Sequence, residues 1–323
     1  MKIDGILPVI PTPFDDGGAF DAGSFQRLLD HMLPHVDGYT LLGSTGEAPS
    51  MTTAERLEIA AAALAMTPED KRVVVGVTHT SLADSVAIAR HAAAHGAAGV
   101  LLAAPYYFPN TPGGLGDHLA ELAAETDVEL VFYDNPAPTA TNVTADQIVE
   151  YAARIDRLNT VKLTDHALDK VAAWQAAGLT VHGGDDPILF RYLDAGVDGV
   201  MMIVPALFPE AFAETWRRHR AGDAEGALDV FSAEVLPFSH VFGIGDEIVT
   251  TKALLAEIGV FASDRVRLPL ERADARRREL LAQAHRICRA RTEARLSGAG
   301  AAGGEAAGAG AASAVAADAG ARG

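Results

Sequence analysis

Cysteine, lysine and long apolar runs are what this sequence has least of. A single cysteine, Cys288, rules out an internal disulfide and any cysteine-based metal site, and its basic helical setting reads as a structural thiol. No apolar run reaches membrane-spanning length, although 49% of the residues are apolar. Basic residues number 26 against 43 acidic ones, a formal charge of -17, which disfavours nucleic acid and anionic membrane as partners. An acidic surface suits a salt-rich cytoplasm or simple solubility, and an anionic substrate would have to be held by local donors. Signature motifs are missing too. There is no Gly-x-Ser-x-Gly elbow, no Walker loop and no dinucleotide fingerprint after the first strand-like run. His91 and His95 stand at helical i,i+4 spacing without the glutamate of a metalloprotease, and read as a solvated face. No metal and no organic cofactor is expected.

What is present is a rhythm. Strand-like apolar runs recur at 6–12, 38–43, 73–78, 99–103, 129–134, 160–164, 180–184 and 199–204, with helical stretches between them. Stretches such as 52–66 and 82–95 read as helices with capping residues at the start and glycine after the end. Eight such units predict an α/β fold, a (β/α)8 TIM barrel over residues 1–220, with a doubly wound open sheet as the competing topology. Residues 221–296 read as a C-terminal helical appendage, helical throughout from 209 to 295. Residues 297–323, almost all alanine and glycine, read as a disordered tail. Met1-Lys2-Ile3-Asp4-Gly5 runs directly into the first strand, so a cytoplasmic enzyme is expected.

In such barrels the chemistry sits at the carboxyl ends of the strands. That gathers Gly43-Ser44-Thr45-Gly46-Glu47, Pro105-Tyr106-Tyr107, Tyr133-Asp134-Asn135-Pro136 and Lys162-Leu163-Thr164 around one mouth. A lysine in a dry pocket loses its proton readily and becomes an amine nucleophile towards ketones; a strand-end lysine snorkelling to water is the plain alternative. Outward amides and two hydroxyls in the glycine-flanked segment would cradle a small carboxylate, though ordinary strand-to-helix turns look similar. Tyr133 at a strand end can shuttle protons or merely pack its ring.

Taken together, these four segments resemble the dihydrodipicolinate synthase and N-acetylneuraminate lyase family of class I aldolases, over roughly residues 6–295. The resemblance implies that Lys162 forms a Schiff base with a 2-keto acid, usually pyruvate, and that Tyr133 is the general acid/base. It implies that Ser44, Thr45 and Gly46 hold the keto-acid carboxylate, and that Tyr107 joins a proton relay with Ser44 and Tyr133 from a neighbouring subunit of a homodimer or homotetramer. Thr164, Asp185 and Ile203 complete the expected substrate-binding set.

Departures from the pattern bear on the acceptor. Synthases carry Tyr-Asn-x-Pro-x-Arg-Thr-Gly after the fifth strand, and the arginine grips the acceptor carboxylate; here Pro138 stands in its place. Lys162-Leu163-Thr164 resembles the Lys-x-Thr of the sugar-acid lyases, and Pro105-Tyr106-Tyr107-Phe108-Pro109 the 2-keto-3-deoxygluconate aldolase branch. Met201-Met202-Ile203 are expected to add bulk at the mouth and shorten the acceptor. The expected function is a Schiff-base lyase joining or splitting pyruvate and an aldehyde, with a 2-keto-3-deoxy sugar acid as substrate. 4-Hydroxy-tetrahydrodipicolinate synthase, a sugar-acid dehydratase and a non-catalytic keto-acid binding protein are the alternatives.

Overall fold

The structure is a computed structural model, and it describes residues 2–242 and 246–298. Eight parallel strands follow one another around a sheet of order β1-β8-β7-β6-β5-β4-β3-β2. They are β1 (Gly5–Ile6), β2 (Gly38–Leu41), β3 (Arg72–Gly76), β4 (Gly99–Ala103), β5 (Glu129–Asp134), β6 (Leu158–Leu163), β7 (Thr180–Gly183) and β8 (Gly199–Val200). A parallel bridge between Val9 and Thr40 joins the first segment to β2 and closes the ring, which excludes the open doubly wound sheet. The fold is therefore a (β/α)8 barrel. Strands this thoroughly covered need apolar side chains on both faces, and runs such as Val73-Val74-Val75 and Val100-Leu101-Leu102 supply them, buried throughout.

Helices α1 (Ala22–Met32), α2 (Thr53–Ala65), α3 (Leu82–Ala94), α4 (Pro112–Ala124), α5 (Pro136–Thr139), α6 (Ala145–Arg154), α7 (Asp169–Ala176), α8 (Leu189–Asp194), α9 (Val204–Leu207) and α10 (Pro209–Arg220) cover the barrel. Their starts follow the chain's capping chemistry. Thr52 and Thr144 form reciprocal capping boxes with Glu55 and Gln147, while Asp21, Ser81 and Thr111 accept from the first-turn amides. After the barrel come α11 (Ala224–Glu234), α12 (Leu236–Ser239), α13 (Glu247–Glu257) and α14 (Ala275–Leu296), with Cys288 fully buried on the last. No helix among the described residues is long and apolar enough to cross a membrane.

Three expectations are corrected. β1 is only two residues long, because Pro8 and Pro11 have no N–H to give to a ladder. The run at 199–204 stops pairing as a strand at Val200, and Val204 opens a helical turn. Residues 258–274 are not helical: they leave α13 through Gly259 at φ 78° and return across the barrel before α14. The Ala/Gly tail from 299 onward lies outside the described residues.

Candidate active site

Parallel pairing sets Tyr133 opposite Lys162, near the carboxyl ends of β5 and β6. The same register puts His182 opposite Lys162 on the other side. His182 fills the barrel interior, its Nε2 2.9 Å from the Ile3 carbonyl, and a Cβ on Gly199 would lie 2.4 Å from its ring. Lys162 stands just above that packed layer and is 3% exposed.

The lysine is isolated. The chain has five, and the other four are engaged: Lys2 with Asp198, Lys71 with the Val36 carbonyl, Lys170 with Asp134 and Asp165, and Lys252 with Glu47. Among the described residues the Lys162 ammonium has no hydrogen bond and no ion pair; it lies 4.0 Å from the centre of the Tyr133 ring. Burial holds its pKa down at about 7, against the opposing pull of Asp186 and Asp185. Near neutral pH a substantial fraction is thus the free amine.

Tyr133 is buried, which pushes its phenol up to about 12. Thr164 and Ser44 lie beside its hydroxyl and pull the other way. Thr164 itself donates to the Asp134 carbonyl at 2.7 Å.

The loop after β2 leaves several of its amides free. Glu47 and Ala48 turn their amides back onto the Ser44 and Gly43 carbonyls, whereas the amides of Ser44, Thr45 and Gly46 have no hydrogen-bond partner among the described residues. Three consecutive free amides are an arrangement that can hold an anion. Two non-glycine residues flank it in left-handed conformations, Leu42 at φ 55° and Glu47 at φ 59°, each costing on the order of 1–3 kcal/mol. Their geometry is imposed from elsewhere. Thr12 Oγ1 donates to the Gly46 carbonyl at 2.7 Å, and the buried Glu47 carboxylate pairs with fully buried Lys252 of α13 and accepts from the Arg267 amide at 2.6 Å. Lys252 also donates to the Arg265 carbonyl at 2.7 Å. The segment 258–274 is therefore a strap that fixes the cradle.

A second ion cluster lies behind β5 and β6. Lys170 bonds Asp134 Oδ2 at 2.8 Å and also Asp165, tying both strand ends to α7. Sequence reasoning missed this cluster and the Glu47–Lys252 pair. The only signal was a lone charged residue inside each apolar segment.

Not every expected residue joins the site. Tyr107, at φ 88°, is 87% exposed and stacks edge-on with Phe108 at 5.1 Å, away from Ser44 and Tyr133. It is Tyr106 that faces inward, onto a cavity of about 230 Å3 shared with Leu42, Ser44, Thr78, Tyr133 and Pro138, no lining side chain of which is charged. Met201 and Met202 are fully buried and do not line that cavity, so they do not add bulk there as expected. The Ile203 side chain is buried as well, and its amide donates to Asp186 at 3.0 Å. Burial raises Asp186 to about 6. Asp185 stays at the rim beside Gly184, where a Cβ would lie 2.7 Å from Lys162 Cε and 2.6 Å from Thr164 Cγ2.

A barrel that presents a desolvated lysine against a phenol defines the class, a carbon–carbon lyase of the class I aldolase type. Comparison with known proteins narrows this. The model of the dihydrodipicolinate synthetase family matches residues 2–287, and the chain belongs to that family. The 4-hydroxy-tetrahydrodipicolinate synthase of Xylella fastidiosa is 30% identical over 273 residues, 84% of this chain and 89% of the relative. That of Salinibacter ruber is 29% identical over 290 residues, covering 87% and 95%. Among solved structures, a monomeric dihydrodipicolinate synthase variant superposes with a TM-score of 0.82 at 27% identity, covering 88% of this chain and 96% of its own. The Thermotoga maritima dihydrodipicolinate synthase gives 0.81 at 27%, covering 88% and 98%.

Proposed function

We propose that Lys162 condenses with the ketone of pyruvate and that the protein joins this donor to an aldehyde, or splits the adduct. The amine adds to the keto carbon, water leaves, and an iminium forms. Loss of a proton from the adjacent carbon gives an enamine, which attacks the aldehyde carbon while the aldehyde oxygen takes up a proton. One water then hydrolyses the new iminium and frees Lys162. The Ser44–Thr45–Gly46 amides hold the donor carboxylate, and Tyr133, with Ser44 and Thr164 beside its hydroxyl, moves the protons. One observation carries this reading: the single unpartnered lysine of five lies against a buried phenol. Borohydride added with pyruvate should reduce the iminium and add mass at Lys162 alone, with loss of activity. Labelling at another lysine, or an active Lys162→Ala protein, would refute the assignment.

Two acceptors have support. The named relatives favour condensation with aspartate semialdehyde, the acceptor implied for 4-hydroxy-tetrahydrodipicolinate synthases. Pro138 favours a neutral, hydroxylated aldehyde of the sugar-acid type, because a carboxylate in this uncharged cavity would lose a charge-assisted bond of about 1.5–3 kcal/mol. Pyruvate among the products distinguishes either from a dehydratase, whose product keeps its carbon chain. The exposed Tyr107–Phe108 pair supports a homodimer or homotetramer in which Tyr107 enters the neighbouring site.

A further inference from the structure

The ion cluster behind β5 and β6 takes no part in the steps above, yet it is built around their residues. Asp134 follows Tyr133 and is buried, Asp165 follows Thr164, and Lys170 of α7 reaches both. An aspartate stands here where the synthase pattern has asparagine, and α7 supplies the cation that a buried carboxylate demands. The link is a closed ring. The Thr164 amide and hydroxyl both donate to the Asp134 carbonyl, at 3.0 and 2.7 Å. The chain joins Thr164 to Asp165, and Lys170 carries the ring from the Asp165 carboxylate back to Asp134 Oδ2 at 2.8 Å. Asp165 is held further by the Ala167 amide at 3.0 Å, and the Tyr192 hydroxyl donates to the Leu163 carbonyl at 2.9 Å. Thr164 in turn lies beside the Tyr133 hydroxyl, and Lys162, two residues before it, lies against the Tyr133 ring.

A buried ion pair adds little to stability on balance, because desolvation offsets the attraction. This one is also imperfect, since Asp134 Oδ1 is buried without a hydrogen-bond partner among the described residues. An apolar pair of similar size would hold α7 to the strands as well. What it would not supply is direction. The ammonium fixes two strand ends at hydrogen-bond distance, and with them the residues beside the reacting amine. Against burial, the bonds to Asp134 and Asp165 keep the Lys170 pKa above the ordinary lysine value, so it stays charged where Lys162 is poised to lose its proton. We propose that Lys170 is a positioning residue: held between Asp134 and Asp165, it sets the Thr164 side chain and the Tyr133 phenol at their working distance from the Lys162 amine. It acts from behind the strands, through the two aspartates. This inference rests on the Schiff-base reading of Lys162 and Tyr133, and adds to it a residue from a covering helix.

The test uses the full-length protein with pyruvate alone in D2O. The iminium at Lys162 sheds a methyl proton to give the enamine and takes up a deuteron from solvent, so loss of the pyruvate methyl signal by proton NMR reads the proton transfer without any aldehyde. Lys170→Met opens the ring and leaves two carboxylates facing each other, so stability and exchange should both fall. Asp134→Leu/Lys170→Met removes the pair together, and the urea midpoint should return close to the wild-type value. Exchange in this stable variant should still be about tenfold or more below wild type, because small displacements of reacting groups are costly, while borohydride with pyruvate still adds mass at Lys162. Lys170→Arg, whose guanidinium can bridge the same two carboxylates, should recover part of the exchange. Exchange that returns with stability in the double variant, or that never falls in Lys170→Met, overturns the inference and leaves the Schiff base standing. So does a double variant that does not regain its stability, since the pair would then be holding the fold itself. No trapping at Lys162 in the wild type overturns both.

Discussion

Replacing Lys252 with methionine, which keeps most of the length and removes the charge, isolates the strap's hold on the cradle. In the native fold the ammonium is fully buried against the Glu47 carboxylate, the Arg265 carbonyl and the Phe14 ring, whose centre is 4.2 Å away. In Lys252→Met, Glu47 keeps the Arg267 amide but loses its counter-charge in the interior. Breaking a buried pair on one side costs about 3–5 kcal/mol, most of it the stranded charge. With a urea slope of about 3 kcal/mol per molar, the upper end of the usual range as suits a chain of this size, the unfolding midpoint should fall by about 1–2 M in a circular dichroism titration. The strained Leu42 and Glu47 conformations then lose their restraint, so on the proposed mechanism KM for pyruvate should rise about tenfold or more while kcat, assigned there to Lys162 and Tyr133, changes less. The double variant Glu47→Gln/Lys252→Met removes both charges, and the glutamine oxygen can still accept from Arg267. It should regain most of the stability. A loss below about 1 kcal/mol in the single variant, or a double variant as poor as both singles added, would refute a pair that works by mutual neutralisation.

The proposed role of Lys162 makes pH a direct probe. Because its folded pKa is lowered to about 7 and only the neutral amine attacks, the initial rate of pyruvate trapping should fall as pH drops through about 7 and level off above it; a midpoint near the ordinary lysine value would contradict the desolvated setting. Mixing inactive Tyr107→Phe with inactive Lys162→Ala chains should restore part of the activity through hybrid sites, and no recovery after proven subunit exchange would show that each site is built from one chain. Pro138→Arg should raise kcat/KM for aspartate semialdehyde by roughly one to two powers of ten relative to neutral aldehydes, from the charge-assisted bond it restores. Efficient condensation of aspartate semialdehyde by the wild type would instead favour the synthase assignment.

The barrel was legible because its signals are local. Alternating apolar runs and capping residues mark each unit, and β2 through β7 fall where those runs lie. The gathering of Ser44, Tyr133, Lys162 and Thr164 was legible as well, since a barrel brings all strand ends to one mouth. The cradle's support was not. Arg267 reaches Glu47 across 220 residues and Glu55 across 212, and no local periodicity encodes such a pairing. The same holds for Lys170: beside Asp134 only in space, it looks like any helix lysine until α7 folds back onto the ends of β5 and β6. Tyr107 shows the opposite limit, since its place after β4 was clear while its outward direction, at φ 88°, was not.

The strap also orders events in time. A growing chain that has reached α10 already contains all eight strands, Lys162, Tyr133 and the free amides of Ser44, Thr45 and Gly46. It does not yet contain Lys252 or Arg267, so Glu47 has neither its counter-charge nor its amide donor, and a lone carboxylate is too costly to bury. The loop after β2 can settle into its strained form only once the chain has grown past α13. The shape of this loop thus waits on the far end of the barrel's covering helices, and a fragment cut before Lys252 would carry Lys162 and Tyr133 without the ordered loop that faces them in the proposed mechanism.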